Sequence, residues 1–149
     1  MIISIDVGIN GAMAIKNKHG IGVVSMPKVE SDIVQLLDNM HNTAYCNADS
    51  IEACYMEQVH SMPGQGVSST FTFGKNYGLL RGIIQTLNIP LIDVSPQKWQ
   101  KAIGVPKLEK DERKDWIYQF VRQTYPNVKC NKKQADALAI LHYAISKKD

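Results

Sequence analysis

The chain has 149 residues, with 17 Lys and Arg against 14 Asp and Glu for a net charge of +3, and is 44% apolar and 21% charged. That length suits one domain around one core and argues against a two-domain enzyme, and the composition is that of a globular chain rather than a disordered one. No stretch reaches the ~20 consecutive apolar residues of a membrane span and no secretory signal opens the chain, so a cytoplasmic protein is expected.

Residues 1–6 alternate and are β-branched, Gly8 to Gly11 break the run and Ala12 to Lys16 resume it, which predicts strand, tight turn, strand. After His19-Gly20 a third run reaches Met26 and stops at Pro27, giving an antiparallel meander. Ser31 and Asp32 are candidate caps for a helix over about 29–41, with Ile33, Leu36, Leu37 and Met40 on one face. Residues 50–57 read as a fourth strand ending at Glu57, and residues 58–69, with Pro63, Gly64 and Gly66, as a loop. From Thr70 to Leu87 the period turns helical, with Gly74, Gly78 and Gly82 forming a ridge without side chains. Each glycine costs about 1 kcal/mol against alanine in a helix, so the ridge predicts close backbone approach to the sheet or another helix, with phosphate contact as the alternative.

Residues 88–94 form a fifth strand, joined to the fourth through the helix as a parallel right-handed crossover. Ser95-Pro96 starts a short helix that carries Trp99 and Ile103 inward, and helices over about 110–125 and 134–146 complete the chain. The expected architecture is α/β: a five-stranded mixed sheet, three antiparallel strands then two parallel ones, flanked by helices. The cysteines Cys46, Cys54 and Cys130 are odd in number and widely spaced, and read as buried free thiols rather than a disulfide or metal framework.

Asp6 ends the first strand between Ile5 and Val7, and Glu57 ends the fourth before the glycine-bearing loop. Asp136 opens the last helix, where an acid also complements the helix dipole. Three carboxylates on three elements whose ends could converge would repel one another unless a hard divalent cation held them. Magnesium or manganese, as two ions roughly 3.5–4 Å apart, can clamp the attacking and leaving oxygens of a phosphodiester, so metal-assisted phosphodiester hydrolysis is the expected chemistry. Charge distribution agrees: residues 1–95 carry five Lys/Arg and eight Asp/Glu, residues 96–149 twelve and six, so the halves stand at −3 and +6. A basic half on a small domain suits nucleic acid.

Ile5-Asp6-Val7-Gly8 with Gly11-Ala12, Glu57-Gln58-Val59, residues 73–78 (FGKNYG), Val94-Ser95-Pro96 with Trp99, and residues 135–139 (ADALA) stand in one order along nearly the whole chain. In that order they resemble the RuvC-type Holliday junction resolvases, above all the short RuvC-like proteins of phages and prophages. The resemblance implies a single ribonuclease H-like domain over residues 1–149, magnesium-dependent nicking of branched DNA such as a four-way junction, and a homodimer. It matches Asp6, Glu57 and Asp136 to the family's metal-binding, catalytic acids. RuvC enzymes usually add a fourth ligand one helical turn before the last aspartate. Here that position is Lys133, which cannot ligate while protonated. Either three acids suffice, or Asn131 contributes an amide oxygen, or the activity is altered; Lys133 could instead steady charge at the scissile phosphate. His142, six residues after Asp136, is off its helix face.

The family's base-probing aromatic corresponds to His60. Ser68 and Ser69, with the backbone of the loop before them, offer donors to phosphates, and Lys75, Arg81, Lys98, Lys101, Lys107 and Lys110 are candidate phosphate contacts. Phe71, Phe73 and Tyr77 have the spacing of core or dimer-interface residues, and the helix with Phe73, Tyr77 and Leu80 is the suggested dimer contact. Two other classes compete. The Asp6–Gly11 turn also looks like the first phosphate loop of sugar kinases and actin-like ATPases, but these need two related domains and no second such loop follows. A junction-binding protein with an impaired active site, and a nuclease that prefers flaps or forks, both stay open.

Overall fold

The computed structural model describes residues 1–8, 10–47, 49–58 and 66–147. Five strands form one sheet in the order β3-β2-β1-β4-β5: β1 (Ile2–Asp6), β2 (Ala12–Asn17), β3 (Gly20–Ser25), β4 (Ala53–Glu57) and β5 (Leu91–Val94). β1 pairs antiparallel with β2 and β2 with β3, while β1–β4 and β4–β5 are parallel. The sequence-predicted mixed sheet is therefore present, with β1 at its centre. Because β1 and β4 are parallel and Ile5 stands opposite Met56, Asp6 and Glu57 come one step later, side by side at the carboxyl edge.

Alternation along the strands divides the core in two. Ile3, Ile5, Met13, Cys54 and Met56 face one side, covered by α1 (Glu30–Cys46) and α2 (Val67–Thr86) through Ile33, Leu37, Leu80 and Ile84. Ile2, Ala12, Ala14, Ala53, Tyr55 and Val94 face the other, covered by α3 (Pro96–Ala102), α4 (Lys110–Thr124) and α5 (Ala135–Ser146). Asp6 and Glu57 share the parity of this second set, so their side chains emerge on the side where α3 and α5 pack. Ser4 is the buried polar residue of the described chain, and its hydroxyl donates to the Ala137 carbonyl of α5 at 2.7 Å.

Several local expectations change. α1 continues to Cys46 because Ala44 extends the buried row of Ile33 and Leu37 by two more turns, and its N-cap is Val29 without a side-chain cap, so Ser31 and Asp32 lie within the first turn. α2 begins at Val67, so Ser68 and Ser69 belong to a helix rather than a loop; Gly66 is extended and its carbonyl already accepts from the Thr70 amide. A Cβ at Gly74, Gly78 or Gly82 would meet nothing within 4 Å, so the ridge faces open space instead of another backbone. Leu80 is fully buried against the sheet and cannot serve a dimer contact, whereas Phe71 is 73% exposed. Of the thiols only Cys54 is buried; Cys46 is exposed because it ends α1 beyond the packed row. A 3-10 turn over Lys132–Gln134 precedes α5, capped by Asn131. No helix of the described residues is long and apolar enough to cross a membrane.

Candidate active site

The turn after β1 turns back on itself: the Gly11 amide donates to the Gly8 carbonyl at 2.7 Å. A Cβ at Gly11 would lie 2.1 Å from the Asp6 carbonyl oxygen and 2.7 Å from that of Gly8, so this position admits glycine alone. The tight turn brings the Gly8 amide back to donate to Asp6 Oδ1 at 3.3 Å. At the end of β4, Glu57 accepts from Trp99 Nε1 at 3.1 Å. Trp99 reaches it because Val94 stands opposite Glu57 and Pro96 starts α3 directly beyond, in helical φ from its first residue. Asp136 stands in the first turn of α5, whose following residues Ala137 to Leu141 are all buried against β1 and β2.

Electrostatics tie the three acids together. Burial pushes the Glu57 carboxyl up to about 7, reinforced by the charges of Asp6 and Asp136 and opposed by the Trp99 hydrogen bond. Burial likewise lifts Asp136 to about 6, reinforced by Asp6 and opposed by Lys114 and Arg113. Asp6 is raised by burial too, with the Gly8 amide and Lys114 acting against it. Glu57 is less willing to ionise because Asp6 and Asp136 are near, and Asp136 because Asp6 is, which is the situation a bound cation relieves.

A cleft of about 370 Å³ opens over this edge, lined by Asp6, Asp136, the glycine turn and three ammonium groups, Lys114, Lys132 and Lys133. Lys132 is paired with Asp115. The oxygen-only donor set of the three acids suits a hard divalent ion such as magnesium or manganese by ligand chemistry. Among the described residues no three carboxylate, imidazole or thiol side chains close around a single point.

The other predicted residues fall elsewhere. The Asn131 amide oxygen accepts from the Lys133 and Gln134 amides at 2.9 and 3.2 Å, which commits it to capping the turn before α5. His142 shares a hydrogen bond of 2.9 Å with the Tyr125 hydroxyl and packs edge-on to Phe120, between α4 and α5. Ser68 and Ser69 are exposed on the first turn of α2. Lys75 pairs with Glu30 at 2.6 Å, and Arg81 pairs with Asp93 while lying over the Tyr77 ring. Lys98 and Lys101 are exposed on α3, Lys110 opens α4, and Lys107 lines a separate shallow cleft with Gln100 and Arg113. His60 lies outside the described residues.

Sequence reasoning missed Lys114 and the polar role of Trp99. Lys114 stands three and seven residues before the buried Ile117 and Val121. A lysine in the apolar row of a helix was the available signal. Trp99 was expected inward, and the partner of its one polar atom could not be read from spacing.

No family model and no curated protein matches the sequence. Solved structures do: a Thermus thermophilus RuvC in complex with Holliday junction substrate superposes with a TM-score of 0.61 and 15% identity, over 99% of this chain and 96% of that one. A second Thermus thermophilus RuvC structure superposes with a TM-score of 0.57 and 16% identity, over 98% and 96%. At this identity the likeness concerns the backbone, and it shows that the chain has the ribonuclease H-like fold of RuvC along its whole described length.

Proposed function

We propose that this chain is a divalent-metal-dependent endonuclease that cuts branched DNA, with a four-way junction as substrate. The observation that carries the reading is the placement of Asp6, Glu57 and Asp136 at one edge of the sheet, each raised by burial and the last two also by a neighbouring acid's charge, with Asp6 and Asp136 lining a lysine-bearing cleft. The likeness to RuvC bound to a junction supports the substrate class.

Asp6, Glu57 and Asp136 would hold magnesium, with manganese as a substitute and two ions per site. Bound there, the ions supply Lewis acidity at the phosphate and lower the pKa of the attacking water. The chain's own part is positional. The Gly8 amide and the Trp99 indole hold one oxygen each of Asp6 and Glu57, and the Ser4 bond holds α5 against β1. Lys114 and Lys133 present ammonium groups to phosphate oxygens entering the cleft, favouring an anionic backbone over a neutral ligand.

A homodimer belongs to the same reading, with α2 as the contact helix. Its open glycine ridge and the exposed Val67 and Phe71 support this, in place of the buried Leu80. A second reading, a junction-binding protein with an impaired site, is favoured by one observation: the Lys133 ammonium lines the cleft beside Asp6 and Asp136.

Strand cleavage of a labelled four-way junction, with duplex, flap and fork controls, in magnesium, manganese or EDTA separates the readings. Paired metal-dependent nicks near the branch point are expected. Tight junction binding without nicks in either metal would instead establish the binding protein, and nicks confined to flaps or forks would reassign the substrate.

A further inference from the structure

Trp99 is 1% exposed, and its single polar atom is spent on Glu57 across 42 residues of sequence. A buried indole N–H needs an acceptor, and the rest of the ring is gripped by the core on the α3–α5 side of the sheet, so its direction is set by packing. The carboxylate is therefore the partner that adapts. With Oε1 held at 3.1 Å by the indole, and no other side-chain hydrogen bond to Glu57 among the described residues, Oε2 is left without a hydrogen-bond partner.

We infer that Trp99 is a positioning residue that fixes the Glu57 carboxylate as a one-oxygen ligand for a divalent cation, so that its indole N–H senses whether the site is filled. The geometry that supports this is local and redundant. Val94 pairs with Glu57 in the sheet, the Gln58 amide donates to the Val94 carbonyl at 2.8 Å, and Pro96 starts α3 at once, leaving no slack between the acid and the helix that holds it. This inference rests on the assignment of Glu57 as a metal ligand.

The test uses the full chain with Trp116→Phe, which leaves Trp99 as the only tryptophan. Magnesium is titrated while the indole ¹H–¹⁵N resonance is followed. The resonance should move in a saturable way, and the same titration of a chain that also carries Glu57→Gln should leave it still. A stationary indole in the Glu57-containing chain overturns the inference, whether or not the protein cuts DNA. In parallel, Trp99→Phe removes the donor and keeps an aromatic ring. It should lower kcat for junction cleavage about tenfold and raise the magnesium concentration for half-maximal rate, with KM for the junction and calcium-supported binding unchanged. Equal kcat and equal metal dependence would remove the positioning role while leaving the nuclease reading intact. If the wild-type chain does not cut, the nuclease reading fails and the indole titration alone decides this inference.

Discussion

The Ser4 hydroxyl donates to the Ala137 carbonyl at 2.7 Å, joining the middle of β1 to the first turn of α5 inside the core. Ser4 lies two residues before Asp6 and Ala137 one residue after Asp136, so this bond sets the spacing of two of the three acids. Ser4→Ala should cost about 1 kcal/mol of unfolding free energy, since the carbonyl keeps its helical partner and loses only the second bond. Urea unfolding measures that loss, and junction cleavage should fall several-fold alongside it. Cleavage that stays at the wild-type rate would show that the tie serves packing alone.

Asp6→Asn, Glu57→Gln and Asp136→Asn should each lower cleavage by roughly 10²-fold or more while junction binding in calcium stays within a few-fold. The reason is that Lys114 and Lys133, the proposed phosphate contacts, line the cleft and are untouched by these changes. Gel-shift and cleavage assays on the same preparations check it. Parallel loss of binding and cutting would count against a metal role for the acids.

Stability without metal should fall as pH rises through the acids' shifted range. Glu57 ionises near 7 in the folded chain against 4.5 for an ordinary glutamate, and Asp136 near 6 against 3.8. The folded state thus binds these protons more tightly than the unfolded state. Their contribution to stability is complete below pH ~4 and is lost as the pH climbs to about 7. Thermal unfolding in EDTA should show this decline, Glu57→Gln should flatten it, and magnesium should raise Tm more at pH 8 than at pH 5.5.

Lys114 holds the pKa values of both Asp6 and Asp136 down by its charge. Lys114→Met should therefore move the acid limb of the pH–rate profile to higher pH and reduce the salt dependence of junction binding by about one counterion. Lys133→Ala should slow cleavage about tenfold without moving that limb, because Lys133 contributes to neither shift. Equal cleavage by Lys133→Ala and wild type would exclude a contact between Lys133 and the scissile phosphate.

Much of this was legible in the chain itself. Period-two alternation in residues 1–6 and 53–57 determines which side chains share a face, and the breaks at Gly8 and after Glu57 put an acid at each strand end. The charge asymmetry and the position of Asp136 at a helix start are equally local properties. Only the tertiary structure decided that β1 and β4 lie parallel in the register that sets Asp6 beside Glu57, that Trp99 gives its N–H to Glu57, and that Lys114 reaches Asp6 and Asp136. It also turned the glycine ridge of α2 outward and Leu80 inward, since helical spacing names the faces of a helix but not the one that meets the sheet. Local backbone preference and hydrophobic period act within a few residues, whereas the partner of a polar atom or a charge depends on which distant elements pack together, and that follows from burying the whole apolar surface at once.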